Sequence, residues 1–509
     1  MPILSSPFNY LAAALPLLTV IGLMIFKRWS GQRAGPAGLL IGVIVGTLAF
    51  GLNFEVLWVS ALKGIMLALF VLAVLIPALL LYHLVTRSGG ISALARWLEA
   101  LIMDQHLMLI VIAWAFSGML EGLAGFGLPI AIAAPMLVNF GVPPLNAVAA
   151  VAVGHSWAIT FGDMGVIYQT LTAVTGLDGA VLAPYAALFL GAACVGCGFG
   201  AMHLLGFTHK WRTVFGLSLL MGIVQYLLAG ANLTSIAALG AGAVGIIGAV
   251  LISRLRSGHS PKVPLNRPLI AALAVYGGLT LMMALVILIP PLYQSLNKLV
   301  WQIPVPALTT QTGFVTPAGA TQAIRPLTHP GSLILIVFGI SYWGFRRARL
   351  IEPGTWRPIL STTRRSAVPA AISISAMICL SMVMEHTGMT LLLAQGFSAA
   401  LGAIFPAVSP LVGILGAFAT GSNNNSNVLF APLQMNIAGL LQVMPMILVG
   451  AQTAGGALGS MIAPAKLVIG CTTVGLDQRD GEVLRQTIIY ALLIGVGVGA
   501  LTLLLCLRR

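Results

Sequence analysis

GMLEGLAGFG, Gly118 to Gly127, and GSNNNSN, Gly421 to Asn427, interrupt an otherwise apolar chain about 300 residues apart. Backbone this rich in glycine and polar side chains does not continue as a lipid-facing helix. At bilayer depth it is tolerated only where it is buried in protein or lines a cavity. Each interruption closes an apolar run with a similar word, AWAFSG at Ala113 to Gly118 and GAFATG at Gly416 to Gly421. The likeness continues downstream, where PIAIAAPMLVNFG (Pro129 to Gly141) and VGHSWAITFGDMG (Val153 to Gly165) follow the first. NVLFAPLQMNIAG (Asn427 to Gly439) and VGAQTAGGALGSM (Val449 to Met461) follow the second. Both halves read as helix, polar break, arm containing Ala-Pro, helix, and a second glycine-rich break. Inverted repeats meeting at the membrane midplane are the expected arrangement.

The rest of the chain fits that reading. With 59% hydrophobic and 7% charged residues over 509 positions, it is no soluble protein with one buried core. The expected fold is an all-α polytopic membrane protein with roughly 12 or more spans. The formal charge of +14 does not indicate nucleic acid, because the basic residues fall in short loops between apolar stretches. Those loops hold Lys27, Arg28 and Arg33; Arg87 and Arg96; Lys210 and Arg212; Arg254, Arg256, Lys262 and Arg267; and a dense run from Arg346 to Arg365. Placing them and the terminal Arg508 and Arg509 in the cytoplasm puts the N-terminus outside, the C-terminus inside, and the loop of Asp477, Asp480 and Glu482 outside. The first apolar segment has its basic residues after it and no small-residue cleavage site, which argues against a removed signal peptide. All five cysteines lie in or beside apolar segments, and the Cys194/Cys197 pair reads as packing residues, with a disulfide or metal as the alternative.

Five regions follow. Residues 1–104 and 183–384 read as scaffold spans, 105–182 and 385–475 as the two repeat units that carry transport, and 476–509 as a final span. The loop from about Pro290 to Pro330 reads as an external connector, with the alternative that its Arg325 reaches an anion.

Chemistry concentrates in the repeats, and the two differ. Glu121 and Asp163 are the only acidic or basic charges between Asp104 and Asp178 apart from histidine. A carboxylate at bilayer depth costs at least about 2.5 to 3.5 kcal/mol and needs a partner, a cavity or a proton. Glu121 is therefore either a proton carrier or a tie for broken backbone. Asp163 is either part of the same device or a cap for the next helix. His155 has Ser156, Thr160 and Asp163 for company and reads as a proton relay, a substrate contact or a packed histidine. Beyond His386 the second unit has no acidic or basic side chain before Lys466. Its polar surface is neutral, made by Ser422, Asn423, Ser426 and Asn427, where helix-start amides hold an anion, and by Gln452 and Thr453. Lys466 either neutralises an anion, pairs with Glu121 or Asp163, or snorkels to the interface.

EGLAGFGLPIAIAAPMLVNFGVPPLNAVA (Glu121 to Ala149) and GSNNNSNVLFAPLQ (Gly421 to Gln434) resemble the lactate permease family. The resemblance implies a bacterial inner-membrane secondary transporter that imports L-lactate, glycolate or a related 2-hydroxymonocarboxylate with a proton, built from re-entrant hairpins within a scaffold. Glu121, Gly125, Phe126 and Gly127 match its first signature, and Gly421, Ser422, Asn423, Ser426 and Asn427 its second. The chain departs from the family pattern at GHSWAITFGDMG, which adds His155 and Asp163 and leaves the preferred acid and the coupling ion open. The expected partners are a small carboxylate anion, a proton and the lipid bilayer, without nucleic acid or cofactor, and with a homodimer open. Sodium coupling or a dicarboxylate substrate is the alternative within transport; an anion channel or a membrane enzyme is the alternative outside it. No phosphate-binding glycine loop, metal signature or cluster of catalytic acids is present to support an enzyme or direct ATP drive.

Overall fold

The computed structural model describes residues 6–27, 29–123, 125, 127–257, 265–476 and 479–507. Arg28, Phe126, Lys262, Asp477, Arg508 and Arg509 lie outside them. The chain opens with α1 (Pro7–Phe26), α2 (Gly31–Ala49), α3 (Phe54–Arg87) and the short α4 (Gly90–Leu101). The first repeat unit then runs from α5 (Gln105–Val111) through a π-helical turn at Ile112–Phe116 into α6 (Ser117–Leu123). It continues with α7 (Leu128–Asn139), α8 (Pro144–Gly154), a tight turn at Ser156–Phe161, α9 (Val166–Thr175) and the long α10 (Gly179–Leu204).

Between the units lie α11 (Trp211–Gly230), α12 (Thr234–Ser257), α13 (Arg267–Leu288) and α14 (Pro290–Leu296). Two small antiparallel ladders follow, in which β1 (Pro304–Val305) pairs with β4 (Gly319–Ala320) and β2 (Leu308–Thr309) with β3 (Val315–Thr316). Then come α15 (Pro330–Arg347), α16 (Trp356–His386) and α17 (Met389–Leu401). Drawn by corresponding elements, the units differ from the expected bounds: α10 closes the first, and the second leaves out α17 and comprises α18 (Phe405–Thr420), α19 (Asn423–Leu440), α20 (Pro445–Gly459), a tight turn at Ser460–Ile462, α21 (Pro464–Thr473) and α22 (Asp480–Leu507). Among the described residues, 12 helices are long and apolar enough to cross a membrane, or 13 if α8 and α9, bent by 46°, count as one span. The protein is a helical, multi-pass membrane protein.

Local chemistry explains where these helices begin. Asn53, Asp104 and Asn266 accept the backbone N–H three residues on, at 2.9, 3.1 and 2.9 Å, and cap α3, α5 and α13. Proline opens α8, α20 and α21, where its missing N–H has no intrahelical partner to lose. Basic residues of separate loops meet at helix ends. Lys210 Nζ sits 2.6 Å from Asp104 Oδ2, and Arg256 donates to Thr213 Oγ1 at 3.2 Å. Burial acts to raise the Asp104 carboxyl, but the Lys210 ammonium and the Leu107 N–H outweigh it and hold the group below the usual carboxylate range.

The repeat seen in the sequence is a repeat of elements, with one correction. GSNNNSN marks a break and a helix start: α18 ends at Gly421, whose φ is 70°, Ser422 is the cap position, and Asn423 to Asn427 form the first turns of α19. VGAQTAGGALGSM breaks only at its end, because α20 runs unbroken through its glycines to Gly459, and the chain turns at Ser460–Ile462 before α21. Those glycines serve close packing, with Gly455 against the backbone of Pro410 and Gly459 against Ile414, both in α18.

The units interlock crosswise. The arm α7 of the first unit packs on α21 of the second, and α19 of the second packs on α9 of the first. The closing helices do the same, α10 packing on α8 and α20, and α22 on α20 and α8. Where α6 crosses α12, a Cβ added at Gly122 would lie 2.5 Å from the Leu239 nitrogen and 2.8 Å from its Cα. Gly122→Val is therefore expected to lower stability by about 1–3 kcal/mol through overpacking. Gly277→Ala, where nothing lies within 4 Å, is the matched control, and melting of the detergent-solubilised protein compares the two.

Candidate functional site

A cavity of about 330 Å³ opens among α2, α6, α9, α16, α19 and α21, within the range of small-ligand sites, ~300–1,000 Å³. Glu121, Asp163 and Lys466 line it together with Ser422 and Asn423. Glu121 ends α6 as the helix gives way to Gly125 and is 1% exposed. Lys466, in the first turn of α21, points inward, its Nζ 3.6 Å from Glu121 Oε1. The interfacial reading of Lys466 is thereby replaced by the pairing one. The reason lies in the break at Ala463, which starts a new helix in the protein interior rather than at its surface.

Asp163 does not cap the helix that follows it; Gly165 holds the cap position of α9. Instead the Asp163 carboxylate accepts the N–H of Gly125. A Cβ at Gly125 would lie 2.7 Å from Glu121 Oε1 and 2.8 Å from Asp163 Oδ2, so only glycine lets the two carboxylates face each other across the broken backbone. Asp163 and Met164 have φ of 50° and 55°, and Gly165 of 82°, three left-handed residues in succession. His155 is fully buried behind Glu121. Its Nδ1 donates to the Val151 carbonyl at 2.7 Å, and its Nε2 faces Glu121 Oε2 at 4.0 Å without a hydrogen-bond partner among the described residues.

The neutral side of the site is the start of α19. Ser422 makes no side-chain cap, and the first intrahelical bond is Ser426 N to Ser422 O at 3.0 Å. The N–H groups of Asn423, Asn424 and Asn425 precede that bond and form the positive end of the helix dipole. Asn423 lines the cavity and donates to Thr160 Oγ1 at 3.1 Å. From there a buried web leads away from the cavity. Thr160 meets Thr453 Oγ1 at 3.0 Å, Asn427 donates to Thr453 at 2.9 Å, and Gln452 donates to Ser426 at 3.2 Å. Ser426, Asn427, Gln452 and Thr453 thus stand behind the cavity wall instead of lining it. Gly127, at φ 84°, packs toward Ile469 and is likewise off the wall.

Several lining residues escaped the sequence reading. Ser30, Gly31 and Gln32 come from the start of α2, and Ser366 and Ser373 from α16. Ser373 accepts from Asn425 at 3.1 Å. Single hydroxyls in a basic loop or a long helix carry no local pattern, so only the three-dimensional packing reveals them. Arg325 does not reach this cavity.

The arrangement sets two carboxylates and one ammonium beside the start of α19 in one cavity. Two carboxylates and one ammonium in a buried pocket are neutral only when one carboxyl carries a proton. The family of L-lactate permeases matches residues 9–507 of the chain. An L-lactate permease of Streptococcus iniae is 27% identical over 456 residues, 86% of this chain and 92% of that protein. The glycolate permease GlcA of Escherichia coli K12 is 27% identical over 564 residues, 99% of this chain and 97% of its own. Among solved structures, the Neisseria gonorrhoeae MtrF efflux pump overlaps 86% of this chain and 81% of its own at 15% identity, with a TM-score of 0.45.

Removing one partner of a buried ion pair strands the other, at a cost of about 3–5 kcal/mol. Lys466→Met is expected to lower the melting temperature of the purified protein markedly, and Glu121→Gln combined with Lys466→Met to recover much of the loss. Additive effects of the two substitutions would show that the groups do not interact.

Proposed function

Because this chain belongs to the L-lactate permease family, we propose that it imports a small 2-hydroxymonocarboxylate of the L-lactate or glycolate type together with a proton. The observation that carries this reading is the placement of Glu121, Lys466 and Asp163 opposite the start of α19 in one cavity. In the unloaded site Lys466 is balanced by Glu121, with Asp163 protonated. An incoming carboxylate takes the place of Glu121 beside Lys466 and accepts the free N–H groups at the start of α19. Glu121, released into a buried pocket, takes up a proton, and the loaded site is again neutral.

One proton thus accompanies one anion. The stoichiometry removes the electrical opposition to an anion moving into a negative interior, roughly 2.3 kcal/mol per 100 mV. His155, its Nε2 turned to Glu121, is placed to pass that proton. Asn423 binds at the cavity, while Ser426, Asn427, Gln452 and Thr453 hold α19 in place. The membrane is the bacterial inner membrane, with the basic loop ends in the cytoplasm, the N-terminus outside and the C-terminus inside.

Uptake of lactate, glycolate, acetate and malate into proteoliposomes, under imposed proton or sodium gradients, tests the reading. Lactate and glycolate accumulation driven by the proton gradient alone is expected. Glu121→Gln is expected to abolish accumulation while leaving exchange of internal for external substrate. Proton-driven accumulation that persists in the variant would remove Glu121 from coupling. Asn423→Ala is expected to raise the KM for lactate several-fold, about 1 kcal/mol for one hydrogen bond, and an unchanged KM would take it out of the site.

A further inference from the structure

A second cavity, of about 430 Å³, lies where the α9–α10 turn, the α11–α12 turn and the start of α15 meet. Arg325, His329, Gln169, Asn232, Thr234 and Gln322 give it a polar wall. Its charged side chains are Arg325 and Asp178. Arg325 makes no ion pair among the described residues. Asp178, also on the wall, is already engaged, accepting the Ala180 N–H at 2.8 Å as the cap of α10. His329 is 5% exposed and stacks edge-on against Phe70 at 4.7 Å, yet its Nε2 has no hydrogen-bond partner. A buried ring nitrogen on the wall of a polar cavity is a group awaiting a ligand or water.

The two cavities open toward opposite ends of the helices. The first is lined by Ser30 and Ser366, close along the chain to Arg33, Arg364 and Arg365. The second lies at the far ends of α10, α12 and α15 from Lys210, Arg254, Arg256, Arg346 and Arg347. Two segments line both: α3, with Leu75 on the first cavity and Phe70 on the second, and the run from Asp163 to Gln169. Asp163, Val166 and Ile167 line the first cavity; Tyr168 and Gln169 line the second. Gly165, between Asp163 and Val166, packs on Ser235 of the second cavity so closely that a Cβ there would lie 2.9 Å from the Ser235 Cα. Tyr168 fastens the segment by donating its hydroxyl to the Gly179 carbonyl.

We infer that the second cavity is the antechamber of the transport path on the face opposite the basic loops, taking a small carboxylate onto Arg325 and His329 and passing it across the Asp163–Tyr168 segment to Lys466. The inference rests on the proposed transport of such anions. It adds a binding site on the far side of the partition, and it makes the Asp163–Tyr168 segment the barrier that yields when the path opens to that face.

The test uses the full-length protein in right-side-out and inside-out membrane vesicles. Arg325→Gln is expected to raise the KM for lactate about tenfold when substrate enters from the antechamber side, and to leave it unchanged from the other side. The tenfold shift matches loss of one charge-assisted contact. Arg325→Lys is expected to restore part of the affinity. Equal KM changes from both sides, or none from either, would overturn the assignment. Gln322→Cys, treated from outside with a bulky membrane-impermeant thiol reagent, is expected to lose uptake and to be protected by lactate. The wild-type chain treated alike accounts for its five cysteines. Complete labelling with full uptake would also overturn it. A wild-type protein that carries none of the carboxylates defeats the functional reading and the antechamber with it; a carrying wild type with an indifferent Arg325→Gln defeats the antechamber alone.

Discussion

Glu121 and Lys466 come from different repeat units, and their contact at 3.6 Å is the tie on which the site depends. Each would be an expensive charge at bilayer depth if left alone. Together they fix the end of α6 against the start of α21, and Asp163 completes the group by holding the Gly125 amide. The broken backbone is thereby satisfied by the same side chains that make the pocket reactive to charge. Under the proposed transport, a carboxylate that enters competes for a cation already in use, which would make its binding and the protonation of Glu121 parts of one exchange.

The neutral web behind the wall complements this. Helix α19 needs its first turn exposed to the cavity, and nothing in a bare polar turn would keep it there. The chain from Asn423 through Thr160 and Thr453 to Asn427, with Gln452 on Ser426, anchors that turn to the first unit and to α20. Each bond is worth about a kilocalorie net, and the larger effect is that buried amides left unpaired would penalise any other placement of the helix.

Much of this was legible in the residues. The two interruptions, their similar flanks, the polytopic class and the acids of the first unit follow from composition and spacing, because glycine, polar clusters and isolated charges stand out against an apolar background. The break and helix start at GSNNNSN were legible as well, because asparagine and serine favour turns and helix caps alike. Two things did not follow. The glycines of α20 looked like a second break, whereas they let α18 approach. The direction of Lys466 was undecidable because a lysine near a helix end faces inward or outward according to where that end lies, and the position of Ala463 in the interior is a tertiary fact. Ser30 and Ser373 are the extreme case, since one hydroxyl in a basic loop and one in a long helix give no local pattern from which a facing could be read.

The crosswise packing of the units makes each incomplete without the other. Alone, the first unit would leave bare the surface of α10 that meets α20 and the surface of α7 that meets α21. The second would leave bare the matching surfaces of α22 and α19. Each supplies what the other lacks through the same elements in exchanged roles, which is the contact pattern of an isologous dimer. Within one chain the two units thus stand to each other as the subunits of such a dimer do, with α11 to α17 as the covalent stretch between them.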